Sequence, residues 1–116
     1  MVETGTALGL GSCIFAAALL RNGHGRLTTI DSNPESGYLI GDPWASVIDL
    51  RTGSSTGVLK TVPDVDMFIH ASLHTYDYET AEFTAVEPKL RPNAIALSYN
   101  SHETSALSNW AGTKRP

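Results

Sequence analysis

Val2-Glu3-Thr4-Gly5-Thr6-Ala7-Leu8-Gly9-Leu10-Gly11-Ser12 is the stretch on which the reading of this chain turns. A short extended run carries an acid, glycines follow at positions 5, 9 and 11, and the apolar run Cys13 to Leu20 begins directly afterwards. That order predicts a strand, a tight glycine turn and a helix N-terminus. Such a unit sets bare backbone N–H groups, and the positive end of a helix dipole, at the carboxyl edge of a sheet. Open α/β sheets bind nucleotides and related cofactors at that edge.

Outward from this stretch, residues 12 to 22 read as a helix with Ser12 as N-cap and Gly23 suited to the left-handed C-terminal position. The helix is apolar almost all round, so it is expected to be covered on more than one side. Residues 26 to 30 read as a short buried strand ending at Asp31, which completes a βαβ unit of about thirty residues. Pro34 suits the start of a short helix, against which Gly37 and Gly41 weigh. A third strand is expected over Ala45 to Leu50, a short helix over Thr56 to Val62 and a fourth strand over Val65 to His70. From Thr75 to Leu90, Tyr76, Thr80, Phe83, Val86 and Leu90 recur at helical spacing, with Glu79, Glu82 and Glu87 largely off that face. Arg91-Pro92-Asn93 reads as a turn, Ala94 to Ser98 as a fifth strand, and the tail as one more helix around Glu103 to Trp110. Strands alternating with helices indicate a parallel sheet with right-handed crossovers.

The 116 residues fit one domain, with residues 1–100 as its core and 101–116 as a tail. A hydrophobic content of 41% and a charged content of 17% are those of an ordinary globular chain, not a disordered or membrane one. The net charge is −4 and the eight Lys and Arg residues are scattered, so no nucleic-acid partner is indicated. Cys13, the single cysteine, excludes an internal disulfide and reads as a packing residue. Its apolar run is too short to span a bilayer and lacks a basic leader, which makes a cytoplasmic location the expectation.

With five strand-helix steps in place, the chain resembles the class I S-adenosylmethionine-dependent methyltransferases, closest to a small-molecule O-methyltransferase-like branch. The resemblance rests on Val2-Glu3-Thr4-Gly5-Thr6 with Gly9 and Ser12, on Gly25-Arg26-Leu27 leading to Ile30-Asp31, and on Gly53-Ser54-Ser55. It continues through Asp66-Met67-Phe68-Ile69-His70, Ser72-Leu73-His74-Thr75-Tyr76 and Leu90-Arg91-Pro92. It implies a Rossmann-like three-layer sandwich around a mainly parallel five-stranded sheet of order 3-2-1-4-5. The cofactor it implies is S-adenosyl-L-methionine. Gly5, Thr6 and Gly9 would wrap the methionine part, Glu3 would receive its ammonium, and Asp31 would accept the two ribose hydroxyls. Ser54 or Ser55 would lie near the adenine, and His70 and Ala71 would line the sulfonium side.

The chain departs from the family pattern at Ala71, Ser54 and Asn100, where acids are usual. Ala71 cannot coordinate a metal and Asn100 is a weak neutral ligand, so no metal is expected. The pattern also continues beyond the fifth strand into an antiparallel pair and begins before the first strand, so the chain reads as a core cut at both ends. The fifth strand is then an exposed edge and invites a homo-oligomer.

Plainer readings stand beside these. Glu3 also suits a strand-end acid facing water, the glycines an ordinary tight turn, and Asp31 a cap for the next helix. His74 is the candidate general base, or else a histidine bonded to local backbone at a helix start. The function expected is methyl transfer to a small-molecule acceptor, on oxygen. The alternatives are a cofactor-binding domain without turnover and, more distantly, an NAD-dependent oxidoreductase, in which a pyrophosphate would meet Glu3 unfavourably.

Overall fold

In the computed structural model, which describes residues 1–114, the glycine-rich opening lies between strand β1 (Val2–Thr4) and helix α1 (Leu10–Asn22). Then come β2 (Leu27–Asp31), β3 (Ile48–Thr52), α2 (Ser55–Leu59), β4 (Val65–His70), α3 (Tyr76–Val86), β5 (Leu90–Ser98) and α4 (Ala106–Gly112). The five strands form one sheet of order β3-β2-β1-β4-β5, and every pairing in it is parallel. This is the Rossmann-like order that the resemblance implies, and it places the end of β1 between the ends of β2 and β4. Residues 115 and 116 of the expected tail lie outside the described residues.

Alternation along β1 assigns the layers, because successive side chains of a strand point to opposite faces. Val2 joins the apolar cluster of Leu59, Phe68, Phe83 and Val86, and Thr4 bonds Glu82, so both face α2 and α3. Glu3 bonds Ser12 of α1 on the other face. Phe68 and Phe83 meet edge to face at 5.7 Å, and Trp110 of α4 stacks on Phe83 at 4.9 Å, anchoring the covering segment. Full burial of each such ring contributes about 2–3 kcal/mol.

The structure corrects several boundaries. The first helix starts at Leu10 with Gly9, at φ 101°, in the cap position, so Ser12 lies inside the first turn and not at the cap. α1 is covered by the sheet and also by the Trp44–Val47 segment, while Leu10 and Ile14 on the remaining face stay 64% and 61% exposed. Pro34 starts no helix, and the segment to Ile40 runs in turns instead. Residues Trp44–Val47 form a 3-10 turn that delays β3 to Ile48. The helix expected over Thr56 to Val62 runs instead from Ser55 to Leu59.

The long helix ends at Val86, because Pro88 enforces a 3-10 turn over Glu87–Lys89. Arg91-Pro92-Asn93 sits inside β5 as an irregularity, with Asn93 at φ 66° and the register shifting between Val65 and Met67. The largest correction concerns α3, whose buried residues are Glu79, Glu82, Phe83 and Val86, while Tyr76 is exposed. The N-terminal half of that buried stripe faces polar strand ends, so carboxylates occupy positions that elsewhere in the stripe are apolar. No described helix is long and apolar enough to cross a membrane.

Candidate active site

A cleft of about 450 Å³ opens at the carboxyl edge of the sheet, lined by Gly5, Ala7, Asp31, Ser55, Ala71, Ser72 and their neighbours. This size is that of small-molecule sites, which span about 300–1,000 Å³. Gly5 shapes its floor. At φ 87°, it approaches the β4 loop so closely that a Cβ would lie 2.3 Å from the Ala71 carbonyl oxygen. Its own N–H donates to the Ile30 carbonyl at 2.8 Å, extending the β1–β2 ladder by one residue.

Asp31 stands where β2 ends. Its Oδ2 accepts the Ala7 N–H at 3.0 Å and its Oδ1 the Asn33 N–H at 2.9 Å. Partial burial pushes its pKa up, but the backbone donors at Asn33 and Ala7, helped by Ser36 and Ser32, outweigh that and hold the carboxyl below its ordinary value. Each oxygen keeps lone pairs for a further donor. Asp31 also lines an adjoining hollow of about 570 Å³ with Leu8, Asn33, Ser36 and Tyr38, so it separates two recesses.

The remaining expected site residues sort by depth. Glu3 is 2% exposed and lies beneath the glycine turn, where its Oε1 accepts the Ser12 hydroxyl at 2.6 Å and the Thr29 hydroxyl at 2.8 Å. Burial raises its pKa above the ordinary value, against the lowering effect of those two hydroxyls. Thr6 is also buried, with its hydroxyl 2.7 Å from that of Thr29 and so turned inward. Gly9 closes the turn through its N–H to the Thr6 carbonyl at 2.9 Å. Ser55 lines the cleft, whereas the exposed Ser54 caps α2 and pairs with Thr56 at 3.2 Å. Ala71 lines the cleft, and His70 lies wholly buried behind it. His74 is half-buried and packs edge-on against His70 at 5.2 Å; it directly follows Leu73, which lines the cleft, but does not line it itself.

Ala7, Ser72 and Tyr78 belong to the cleft although sequence reasoning passed them over or left them at the rim. Behind them lies a polar cluster that it also missed. Glu82 Oε1 accepts the Thr4 hydroxyl at 2.6 Å and the His70 Nδ1–H at 2.7 Å. Its Oε2 accepts the Ser72 hydroxyl at 2.8 Å and the Ser55 hydroxyl in a short contact. Burial raises the Glu82 pKa, but donors from His70, Ser55, Thr4 and Ser72 outweigh it and hold the carboxyl below the ordinary range. Glu79, one turn earlier, accepts the Ser98 and Thr104 hydroxyls and stands 3.9 Å from His70 Nε2. That nitrogen has no hydrogen-bond partner among the described residues. The available signal was the spacing of Glu79, Glu82, Phe83 and Val86, which follows the i, i+3, i+4, i+7 pattern of a buried face.

A family model described as a methyltransferase domain matches residues 2–98. Among solved structures, the chain is similar to the precorrin 8W decarboxylase of Methanobacterium thermoautotrophicum, with a TM-score of 0.72 at 19% sequence identity. The alignment covers 99% of this chain and 62% of that one, so the chain spans less than two thirds of that protein's length. At this identity the likeness is one of fold. No curated protein matches the chain.

Proposed function

We propose that this chain, which belongs to the methyltransferase domain family, binds S-adenosylmethionine in the cleft at the carboxyl edge of its sheet and passes the methyl group to a small-molecule acceptor, on oxygen. Asp31 carries the reading. Its two oxygens are each steadied by one backbone N–H and retain acceptor capacity toward the cleft, the requirement for holding vicinal ribose hydroxyls. The cleft's volume and the close approach of Gly5 to Ala71 also suit the cofactor.

When bound, that cofactor supplies an electrophilic methyl group on a sulfonium. The chain's own part is to hold two reactants in register and exclude water. In this proposal Gly5, Thr6 and Gly9 contribute the backbone of the turn around the methionine part, and Ser55, with Ser54 at the rim, flanks the adenine. Ala71, backed by His70, walls the methyl side, and Glu3 favours the ammonium from beneath the turn. His74 is the candidate base for the acceptor proton. A cytoplasmic site of action belongs to the same proposal.

Calorimetry of S-adenosylmethionine binding tests it. Asp31→Ala removes hydrogen bonds to a charged group, worth about 1.5–3 kcal/mol, and the affinity should fall at least about tenfold. Unchanged affinity in that variant would sink the assignment. A second reading, binding without turnover, is favoured by the placement of His74 against His70 and by the side chain of Ala71, which offers no acid. Labelled cofactor with a panel of acceptors separates the two readings, since saturable binding with no transfer supports the second.

We also propose self-association through β5. This strand is an edge of the sheet, and Ile95, Leu97 and Tyr99 are exposed along it with no charged residue from Ala94 to Tyr99. Leu97→Lys should shift a dimer to monomer in sedimentation at the same protein concentration. A wild-type chain that sediments as a monomer up to high concentration would remove the proposal.

A further inference from the structure

We propose that two copies of this chain join their sheets by antiparallel pairing of β5 in a single register, with Ala96 of each copy facing the other across the two-fold axis. The inference rests on the self-association through β5 proposed above, and it fixes the sense and register of that joint.

Hydrogen-bond direction along β5 selects the residues. Tyr99 donates its N–H to the His70 carbonyl at 2.9 Å, toward β4. His70 pairs with Ser98 in that parallel ladder, and Phe68 with Ala96. In a parallel ladder a residue turned to its neighbour strand bonds the residues on either side of its pair. Ile95, Leu97 and Tyr99 therefore spend their backbone groups on β4, while Ala94, Ala96 and Ser98 hold theirs out to the free edge. An incoming strand can bond only to those three. Antiparallel pairing about Ala96 sets Ala94 against the partner's Ser98 and Ser98 against the partner's Ala94, so each outward N–H meets an outward carbonyl. A slip of one residue sets outward groups against inward ones. A slip of two sets Ser98 against Pro92, which has no N–H, or Ala94 against Asn100, which at φ 55° has left the strand.

Side chains agree with this register. It places Ile95 opposite the partner's Leu97 in a non-hydrogen-bonded pair, where side chains lie closest. Ile95 and Leu97 are 50% and 41% exposed in the single chain, and their meeting covers them. On the other face a recess of about 430 Å³ between β5 and α4, lined in part by Ala94, Ala96, Leu107 and Ala111, borders the same edge. The charges are complementary as well. None lies from Ala94 to Tyr99, and the antiparallel sense brings the basic entry of one strand, Lys89 and Arg91, to the exit of the other, whose next carboxylate is Glu103.

Cysteine cross-linking on the full chain tests the register, with Cys13→Ser as background. Ile95→Cys mixed with Leu97→Cys should give a disulfide-linked dimer on mild oxidation, and each alone several-fold less. Opposed Cα atoms about 4.5 Å apart can be bridged, and diagonal ones about 7–8 Å apart cannot. Ala96→Pro removes an outward N–H and leaves the β4 ladder whole, so it should sediment as a monomer where wild type is a dimer, with a melt that stays cooperative. With wild type a dimer, no cross-link in the mixture, an equal yield from either single variant, or a dimer retained in Ala96→Pro overturns the register and leaves self-association intact. Wild type that stays monomeric at high concentration overturns both.

Discussion

The two sides of the cleft solve the same problem in opposite ways. On the β2 side, Asp31 is held by backbone N–H groups and keeps free acceptor capacity toward solvent. On the β4 side, His70, Ser55, Ser72 and Thr4 spend their donors on one another's partner, Glu82, and the cluster is closed. A polar group left open at a cleft is available to a ligand, and one satisfied internally fixes the shape against which the ligand is judged. The first side keeps acceptors free for a ligand, and the second does not.

Three substitutions break or sharpen this contrast. The largest effect is expected at Glu82. Glu82→Ala strands buried donors from four segments, and should cost about 3–5 kcal/mol in urea unfolding, as loss of one partner of a buried charged cluster does. A loss below 1 kcal/mol would mean that water replaces the carboxylate freely and that the side is not closed. The next effect is at the seam between the two sides. Gly5→Ala puts a Cβ 2.3 Å from the Ala71 carbonyl oxygen at φ 87°, so a thermal melt should show destabilisation of about 2 kcal/mol or more. A melt unchanged from wild type would show that the β4 loop can retreat from β1.

The smallest effect is expected at Glu3, which resembles Glu82 in burial but not in bonding. Both of its hydroxyl donors reach one oxygen, Oε1, so the carbonyl of a glutamine can accept the same two bonds. Glu3→Gln should therefore change stability by less than about 1 kcal/mol at neutral pH.

The pH dependence of stability separates the two acids further. Burial raises the folded pKa of Glu3 above 4.5, so the folded state binds the extra proton and stability falls as pH rises through that folded value. Glu82 is lowered from 4.5, so its contribution is present above that value and is lost as pH falls through its folded pKa. Unfolding measured from acid to neutral pH should show the loss on the neutral side flattened in Glu3→Gln and the loss on the acid side retained. A neutral limb that keeps its slope in that variant would show that Glu3 is not its source.

Much of this was written in local sequence. The glycine turn, Asp31 at the end of β2 and the alternation of strands with helices were read from residues lying close together, because backbone preferences and hydrophobic periodicity act over a few positions. The readings that failed were those in which the partner surface decides. Ser12 looks like a cap because it precedes an apolar run, yet Gly9 takes that position and the Ser12 hydroxyl turns to Glu3. Glu79 and Glu82 read as lying off the apolar face because carboxylates are seldom buried, yet the strand ends they meet carry the Thr4 and Ser98 hydroxyls and the His70 ring.

The sequence by itself determined the order of elements, the parallel sheet and the carboxyl edge on which a cofactor site would form. Only the tertiary structure decided which polar groups face that site and which face each other. Glu82 meets Thr4 across a separation of 78 residues and Ser55 across 27, while Glu3 meets Thr29 across 26. No local propensity encodes such pairings. They exist because packing β1 and β4 against α3 on one face, and β1 and β2 against α1 on the other, removes water from these groups, and each must then find its partner inside the fold.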